Sequence, residues 1–591
     1  MLRNGNPTTH SVNAMKIAVR LAATVLFTLS LLVPAMAQGP QDAQITVAHP
    51  GFDSLKADLK AILDLTTPAE QTQWENIAGY IDTFVVGTDG TRPFQVQVLT
   101  GLDPSGLLIA VPLAASQPLF KEFRENIESL GYEVARDSKD QTLYKLSQDP
   151  EFGWLRVDAE TKYAYFILTQ NADQLPQLRE IILKAKLNNV AINGNMIAEL
   201  STPDKSEAAQ GVRRKSFDGV RNPAMEKIQK RPEESTTEFE LRKLATKITM
   251  DEGERIVAET DTLNMLLKLD TSKPGAPTAN LLTTYKAIVG SSMGDVLAQF
   301  NTQPDVFASV AKFPNSALSI RLNHPVDPMR QKNFNEFLDL TQKDMSARLE
   351  ASKERSAAEK EASSKVIAGV TEVVKASIKA GWFNAFVESV PDGQGDFMTI
   401  IAYTTPAAKN LNTILPDLAK AGAGTIVEMN KDKVGDVDIH RIQLAEGFID
   451  LFDDVFGAKK DIFVGIGKDQ VWMVSGVGAL DQLKASITGL GAPAATTTPL
   501  HVEIKLLPWA KRIDDIKKKA EKPTGADELE LWRAAERRRA RAIAAFEQGN
   551  DTVVLDFKVQ NGELTGDLMI DTGLLRFVGK LMSAFSKENF E

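Results

Sequence analysis

The sequence predicts an α+β chain, internally duplicated, with antiparallel sheets covered by helices and with long charged helical excursions. Three observations carry that prediction. Runs that alternate apolar and polar residues lie next to one another across short turns. The clearest are 552–559 and 563–570, joined by Asn561-Gly562, a dipeptide suited to the two positive φ angles of a tight hairpin. Segments with apolar residues at helical spacing, near 120–130, 175–187 and 574–585, return between such hairpins to cover one sheet face. Short patterns also recur in order along the chain, the mark of a repeat.

Taken from the start, Lys16 and Arg20 precede an apolar run over 21–33, then Pro34 and Ala35-Met36-Ala37. This predicts a secretory signal peptide over 1–37 with cleavage before Gln38, and Met15 is an alternative start. The run has 13 residues, short of the roughly 20 that span a bilayer. No transmembrane span is expected after cleavage, and the address is exported, periplasmic or extracellular.

Residues 38–301 are read as the first copy, with a helical insertion at about 206–247. Ile45-Thr46-Val47-Ala48-His49-Pro50 opens it as a strand ending in His-Pro, before Leu55, Leu59 and Leu63 at helical spacing. Strands are expected at 95–99, 107–111, 133–136 and 142–146. A linker follows at 302–316, bounded by Pro304 and Pro314, and the second copy occupies 317–591.

Four matches support the duplication. Ile320-Arg321-Leu322-Asn323-His324-Pro325 repeats the opening strand 275 positions on, and Gly79-Tyr80 with Phe84-Val85 recurs as Gly381-Trp382 with Phe386-Val387 at 302. Tyr165-Phe166-Ile167-Leu168 before Asp173-Gln174-Leu175 recurs as Trp472-Met473-Val474 before Asp481-Gln482-Leu483, the latter at 308. Leu269-Asp270-Thr271 recurs as Ile570-Asp571-Thr572 at 301. The widening from 275 to 302 is assigned to a helical insertion at about 342–365, rich in Lys, Glu and Ala, and read as an extended, solvated arm. A further charged helical insertion is expected at about 510–548, and an exposed loop at 491–498.

Composition limits the chemistry. With 78 Asp plus Glu against 68 Lys plus Arg, the chain of 591 residues carries a net charge of −10, which disfavours nucleic acid as its partner. It has no cysteine, so disulfides, thiolate metal sites and a cysteine nucleophile are excluded. Histidine occurs five times. His10 leaves with the signal peptide. His49 and His324 form a duplicated pair and are the candidate metal ligands, although a strand end closed by proline accounts for both. His440 and His501 sit in alternating strands without a ligand partner at helical spacing.

Gly290-Ser291-Ser292-Met293-Gly294 matches the nucleophile-elbow spacing and makes Ser292 the one candidate nucleophile. Leu281, Leu282, Tyr285, Ile288 and Val289 fall at helical spacing, which places Ser292 in or beside a helix instead. Gly476-Val477-Gly478 lacks the third glycine of a dinucleotide loop. Asn430, Asp432, Gly435, Asp436 and Asp438 suit a hairpin turn better than a calcium loop. Arg533, Arg537, Arg538, Arg539 and Arg541 form the one dense basic cluster, read as a solvated helix face. No cofactor is implied. The expected function is a non-catalytic structural or interaction scaffold with a protein or cell-envelope partner. The alternatives are a carrier for an apolar ligand such as a lipid, and a hydrolase with an unmarked site.

Overall fold

Successive residues of a strand point to opposite sheet faces, so the pairing register decides which side chains meet. The computed structural model describes residues 44–99, 106–114, 120–148, 151–169, 171–188, 190–231, 234–273, 275–353, 355–393, 395–422, 424–443, 461–496, 498–519, 522–523 and 525–590. The expected signal peptide lies outside them. Two compact units result: one holds the described residues up to Lys227 with 250–294 and those from Val578 on, the other holds 228–249 and 295–577.

The first unit contributes β1 (Gln44–His49), β2 (Phe94–Leu99), β3 (Gly106–Pro112), β4 (Glu133–Arg136) and β5 (Leu143–Gln148). It continues with β6 (Glu151–Asp158), β7 (Tyr163–Thr169), β8 (Met196–Ser201), β9 (Thr260–Asp270) and β10 (Thr278–Ala287). All pairings are antiparallel, in the order β4-β5-β6-β7-β3-β2-β1-β8-β9-β10. Helices α1 (Phe52–Leu63), α2 (Pro68–Gln71) and α3 (Trp74–Val85) join β1 to β2. Helix α4 (Lys121–Ser129) precedes β4, α5 (Leu175–Lys184) follows β7, and α6 (Glu207–Glu226) and α7 (Thr236–Glu259) separate β8 from β9. Helix α8 (Ser292–Gln299) follows β10.

The second unit contributes β11 (Leu318–Pro325), β12 (Trp382–Pro391), β13 (Phe397–Thr404), β14 (Ile426–Val434) and β15 (Val437–Gln443). The remaining strands are β16 (Asp461–Ile466), β17 (Gln470–Ser475), β18 (Leu500–Lys505), β19 (Thr552–Gln560) and β20 (Glu563–Ile570). These are again antiparallel, in the order β14-β15-β16-β17-β13-β12-β11-β18-β19-β20. Strand for strand, this is the order of the first sheet. Helices α9 (Pro328–Ala351) and α10 (Ala357–Lys379) lie between β11 and β12, α11 (Leu411–Ala421) follows β13, and α12 (Ala479–Thr488) follows β17. Helices α13 (Leu506–Lys519) and α14 (Ala526–Phe546) lie between β18 and β19, and α15 (Thr572–Phe590) follows β20.

Local chemistry explains the element ends. Asn561 and Gly562 take φ of 53° and 74°, and Gln560 pairs with Glu563, so the Asn-Gly turn closes the β19–β20 hairpin as its sequence requires. Asp327 caps α9 through the Met329 and Arg330 amides, with Pro328 at the first helical position. Ser356 and Glu359 form a capping box at the start of α10, and Gly381 at φ 74° releases the chain into β12.

The structure corrects several sequence expectations. Residues 278–287 form β10 rather than a helix, and a turn at Gly290, φ 80°, separates it from α8. Leu281 and Tyr285 are four apart, an interval that keeps one face in both a helix and a strand, and the full ladder with β9 decides the outcome. The Gly79–Gly381 match also fails, because 79–85 lie on helix α3 whereas 382–387 lie on strand β12. Leu269-Asp270 ends β9 and Ile570 ends β20, which hold different places in the strand order. The other two matches fall on β1 with β11 and on β7 with β17, which hold the same place. The segment 342–365 spans the end of α9 and the start of α10 and is anchored: Ser363 Oγ and an Arg355 guanidinium nitrogen both donate to the Ala421 carbonyl.

The segment read as a linker is also packed. Phe307, Val310 and Phe313 join Phe386, Ile400, Trp472 and Leu483 in the core of the second unit. Arg321 ties that segment down by donating to the Phe307 and Val310 carbonyls at 3.1 and 2.9 Å. Its guanidinium lies 4.0 Å over the Phe386 ring and 3.5 Å from Glu388. Replacing Arg321 by Met leaves Glu388 a buried charge without its ion-pair partner and should cost roughly 3–5 kcal/mol, whereas replacing both by apolar residues should cost far less. Urea unfolding of the two variants measures the difference.

Candidate functional site

Burial along β11 and β12 is the reverse of what apolar strands normally show. Opposed residues on an antiparallel pair share a face, so Ser319, Arg321 and Asn323 meet Glu388, Phe386 and Asn384 on one side. Leu318, Ile320 and Leu322 meet Ser389, Val387 and Ala385 on the other. The polar side is the closed one. Glu388 is 0 % exposed and Asn384 1 %, and Ser319 and Asn323 are buried. Ile320, Leu322, Val387 and Phe383 are only half-buried.

The buried polar row is well supplied with partners. Glu388 accepts from the hydroxyls of Ser319, at 2.7 Å, and Ser316. Burial nevertheless holds its carboxyl above the usual range, opposed by those two hydroxyls and by Arg321, while burial lowers the Arg321 guanidinium. Asn323 donates to the Gln303 carbonyl at 3.0 Å and accepts from the Asn384 amide at 2.9 Å and from the Trp382 indole.

The apolar face continues across the sheet without a charge. Leu500, Val502 and Ile504 of β18 oppose Leu322, Ile320 and Leu318. Phe557, Leu555 and Val553 of β19 oppose those in turn, and Leu568 and Ile570 of β20 continue the surface. Every one of these side chains is half-buried. The alternate residues His501, Glu503, Asp556 and Asp567 lie on the opposite face, where His501 Nδ1 meets Asp556 at 2.7 Å. Beyond β12 the apolar face is closed by helices: Val373 of α10 and Leu411 and Leu415 of α11 pack with Val471, Val464 and Ile466. The corresponding residues of the first unit, Ile45, Val47 and Leu200, are buried, and Phe217 of α6 and Val257 of α7 pack with Ile45 and Leu200.

His324 stands at the end of the apolar face, opposite Phe383, with the edge of its ring 4.9 Å from Phe300. Its Nδ1 lies 2.5 Å from the Pro325 carbonyl, a contact that places the proton on that nitrogen. His49 ends β1 stacked on Phe94, its Nδ1 accepts from the Gly51 amide at 3.2 Å, and its Nε2 is 3.9 Å from Asp58. The chain brings one carboxylate to His49, and Asp58 is itself held by the Asn195 amide. Among the described residues no group of three or more His, Asp or Glu is placed to hold a metal ion. His440, fully buried, accepts the Asn430 amide at 2.9 Å and so stabilises the irregularity in the β14–β15 hairpin, where Asn430 has φ 52°.

Ser292 begins α8. Its hydroxyl donates to the Glu259 carboxylate at 2.9 Å and accepts from Arg255 at 2.8 Å. Glu259 also accepts the Met293 amide at 2.7 Å and pairs with Arg214 at 2.8 Å. That carboxylate sits at a helix start and accepts several donors, an arrangement that anchors α8 and sets a carboxylate rather than an imidazole beside Ser292. Ser292 and the two histidines are not brought together. Sequence reasoning missed Arg321 and Glu388. Their signal was the alternation in Ile320-Arg321-Leu322-Asn323, which tells two faces apart but not which of them is closed.

Comparison of the chain with protein-family models, with curated proteins and with solved structures finds no match.

Burial lowers the His49 imidazole from 6.5 to about 4, the Gly51 amide notwithstanding. The stabilisation from its neutral form is complete above the unfolded value and is lost as pH falls toward 4, at roughly 1.4 kcal/mol per pH unit. His49→Asn keeps an acceptor for the Gly51 amide and should lose that dependence, read as the difference between the two proteins in urea midpoints across this range.

Proposed function

We propose that the chain is an exported, non-catalytic binding protein, built from two copies of one ten-stranded body, that carries an apolar ligand such as a lipid acyl chain on the second sheet. The observation behind this reading is the uncharged face of β12-β11-β18-β19-β20, left half-exposed while the charged face of β11 and β12 is closed. Apolar surface of this extent is normally buried in a monomer or reserved for a partner. An acyl chain suits it chemically, because paired strands leave no backbone donor to satisfy and the face offers no charge to neutralise. Equal strand order in the two units supports a common origin for them, with the ligand-accepting role confined to the second.

A scaffold role is the second reading. Phe334, Met345 and Val370 on α9 and α10 are 44 %, 47 % and 42 % exposed, and they offer a protein partner an apolar helical surface.

Native mass spectrometry of residues 38–591, purified from the exported fraction of the host, separates them. Carriage gives a discrete extra mass that is lost on denaturation and absent from Val502→Glu, which should stay folded within about 1 kcal/mol of the parent. A clean mass for the parent, with no uptake of added fatty acid, defeats carriage. It then turns the search to partners of the helical hairpins.

A further inference from the structure

The basic hairpin α13–α14 in the second unit is left unused by ligand carriage. Residues 506–546 hold eleven Lys and Arg against seven Asp and Glu, in a chain whose net charge is −10. Several of these cations have internal partners: Arg539 and Lys518 with Asp514 at 3.2 and 2.7 Å, and Lys511 with Glu547 at 2.9 Å. Arg533, Arg537, Arg538 and Arg541 make no ion pair among the described residues, and the first three are exposed. Positions 533, 537 and 541 are four apart, so they form one stripe along α14, with Arg538 beside it.

The second observation is apolar. Leu531, seven residues before Arg538 and therefore on the same side of α14, is 72 % exposed. Ile513 on α13 is 49 % exposed. Asp527, Glu528 and Glu530 lie in the first turns of α14, and Glu536 is the one acid among Arg533, Arg537, Arg538, Arg539 and Arg541, so its arginine-bearing length stays basic. An exposed leucine next to unpaired arginines is the pattern of a helix lying on a membrane surface. There the apolar side chain enters the boundary layer while the guanidinium groups reach headgroup phosphates.

We propose that the α13–α14 hairpin docks the protein on an anionic bilayer surface. The arginine stripe would supply the charge complementarity and Leu531 the apolar insertion. Docking at this surface is independent of ligand carriage, since the apolar sheet face and the hairpin use different residues.

Co-sedimentation with phosphatidylcholine vesicles, with and without about one third phosphatidylglycerol, tests the proposal. The parent should bind the anionic vesicles and not the neutral ones, and added salt should weaken it. Arg533→Ala, Arg537→Ala and Arg538→Ala combined should lower the affinity about a hundredfold. Leu531→Ser should lower it several-fold while leaving the salt dependence intact, and Val502→Glu should leave it unchanged. Urea unfolding confirms that each variant is folded. Equal binding to both vesicle types, no binding to either, or undiminished binding by the triple variant overturns the proposal. So does capture by an anionic polysaccharide or nucleic acid without vesicle binding.

Discussion

The second unit is organised by the Arg321 guanidinium, placed between the Phe386 ring, the Glu388 carboxylate and two backbone carbonyls. A one-residue slip of β11 would carry Arg321 to the opposite face and separate it from all of these partners, so the interaction fixes register as well as stability. It also fixes the segment with Phe307 and Val310 over the polar side of the sheet. Because a charged row is closed on one side, the apolar row Leu318, Ile320 and Leu322 is committed to the other, where its side chains are half-buried. The proposed carriage site is a consequence of which face the arginine takes.

The first unit shows the alternative outcome from the same strand order. Its corresponding strand has Thr46 and Ala48 where β11 has Arg321 and Asn323. Thr46 accepts from the Asn188 side chain, whose own backbone exchanges hydrogen bonds with Gln95. Small neutral residues on that side require no buried ion pair. Ile45, Leu200, Phe217 and Val257 close the other side as a core. One architecture thus holds a sealed sheet and an open one, and the difference lies in a few side chains rather than in topology.

Much of this fold was legible in the sequence, because hairpins are local. The Asn561-Gly562 turn, a hairpin between 426–429 and 437–443 and the strand that runs from Ile320 to Pro325 follow from alternation and turn chemistry alone, although the first strand of that hairpin runs on to Val434. The elements that failed were those where two periods coincide, as at Leu281 and Tyr285, or where a short match ignored secondary structure, as at Gly79 and Gly381. The site was largely invisible for a different reason. Alternation shows that Arg321 and Ile320 face opposite ways, yet which face is covered depends on Phe307 and Val310 arriving from outside the strand. The basic cluster on α14 was legible as composition, whereas the exposure of Leu531 beside it was not.

The most direct test uses the absence of cysteine from the chain. Single cysteines at Val502, on the uncharged face, and at Ser319, on the closed face, are compared for thiol reactivity in protein refolded free of ligand. The thiol at 502 should react in the folded state, far ahead of the thiol at 319, and be protected by added fatty acid, while the thiol at 319 should react only on unfolding. Protection of both positions in the ligand-free fold would show that the apolar face is an ordinary core and would contradict the account.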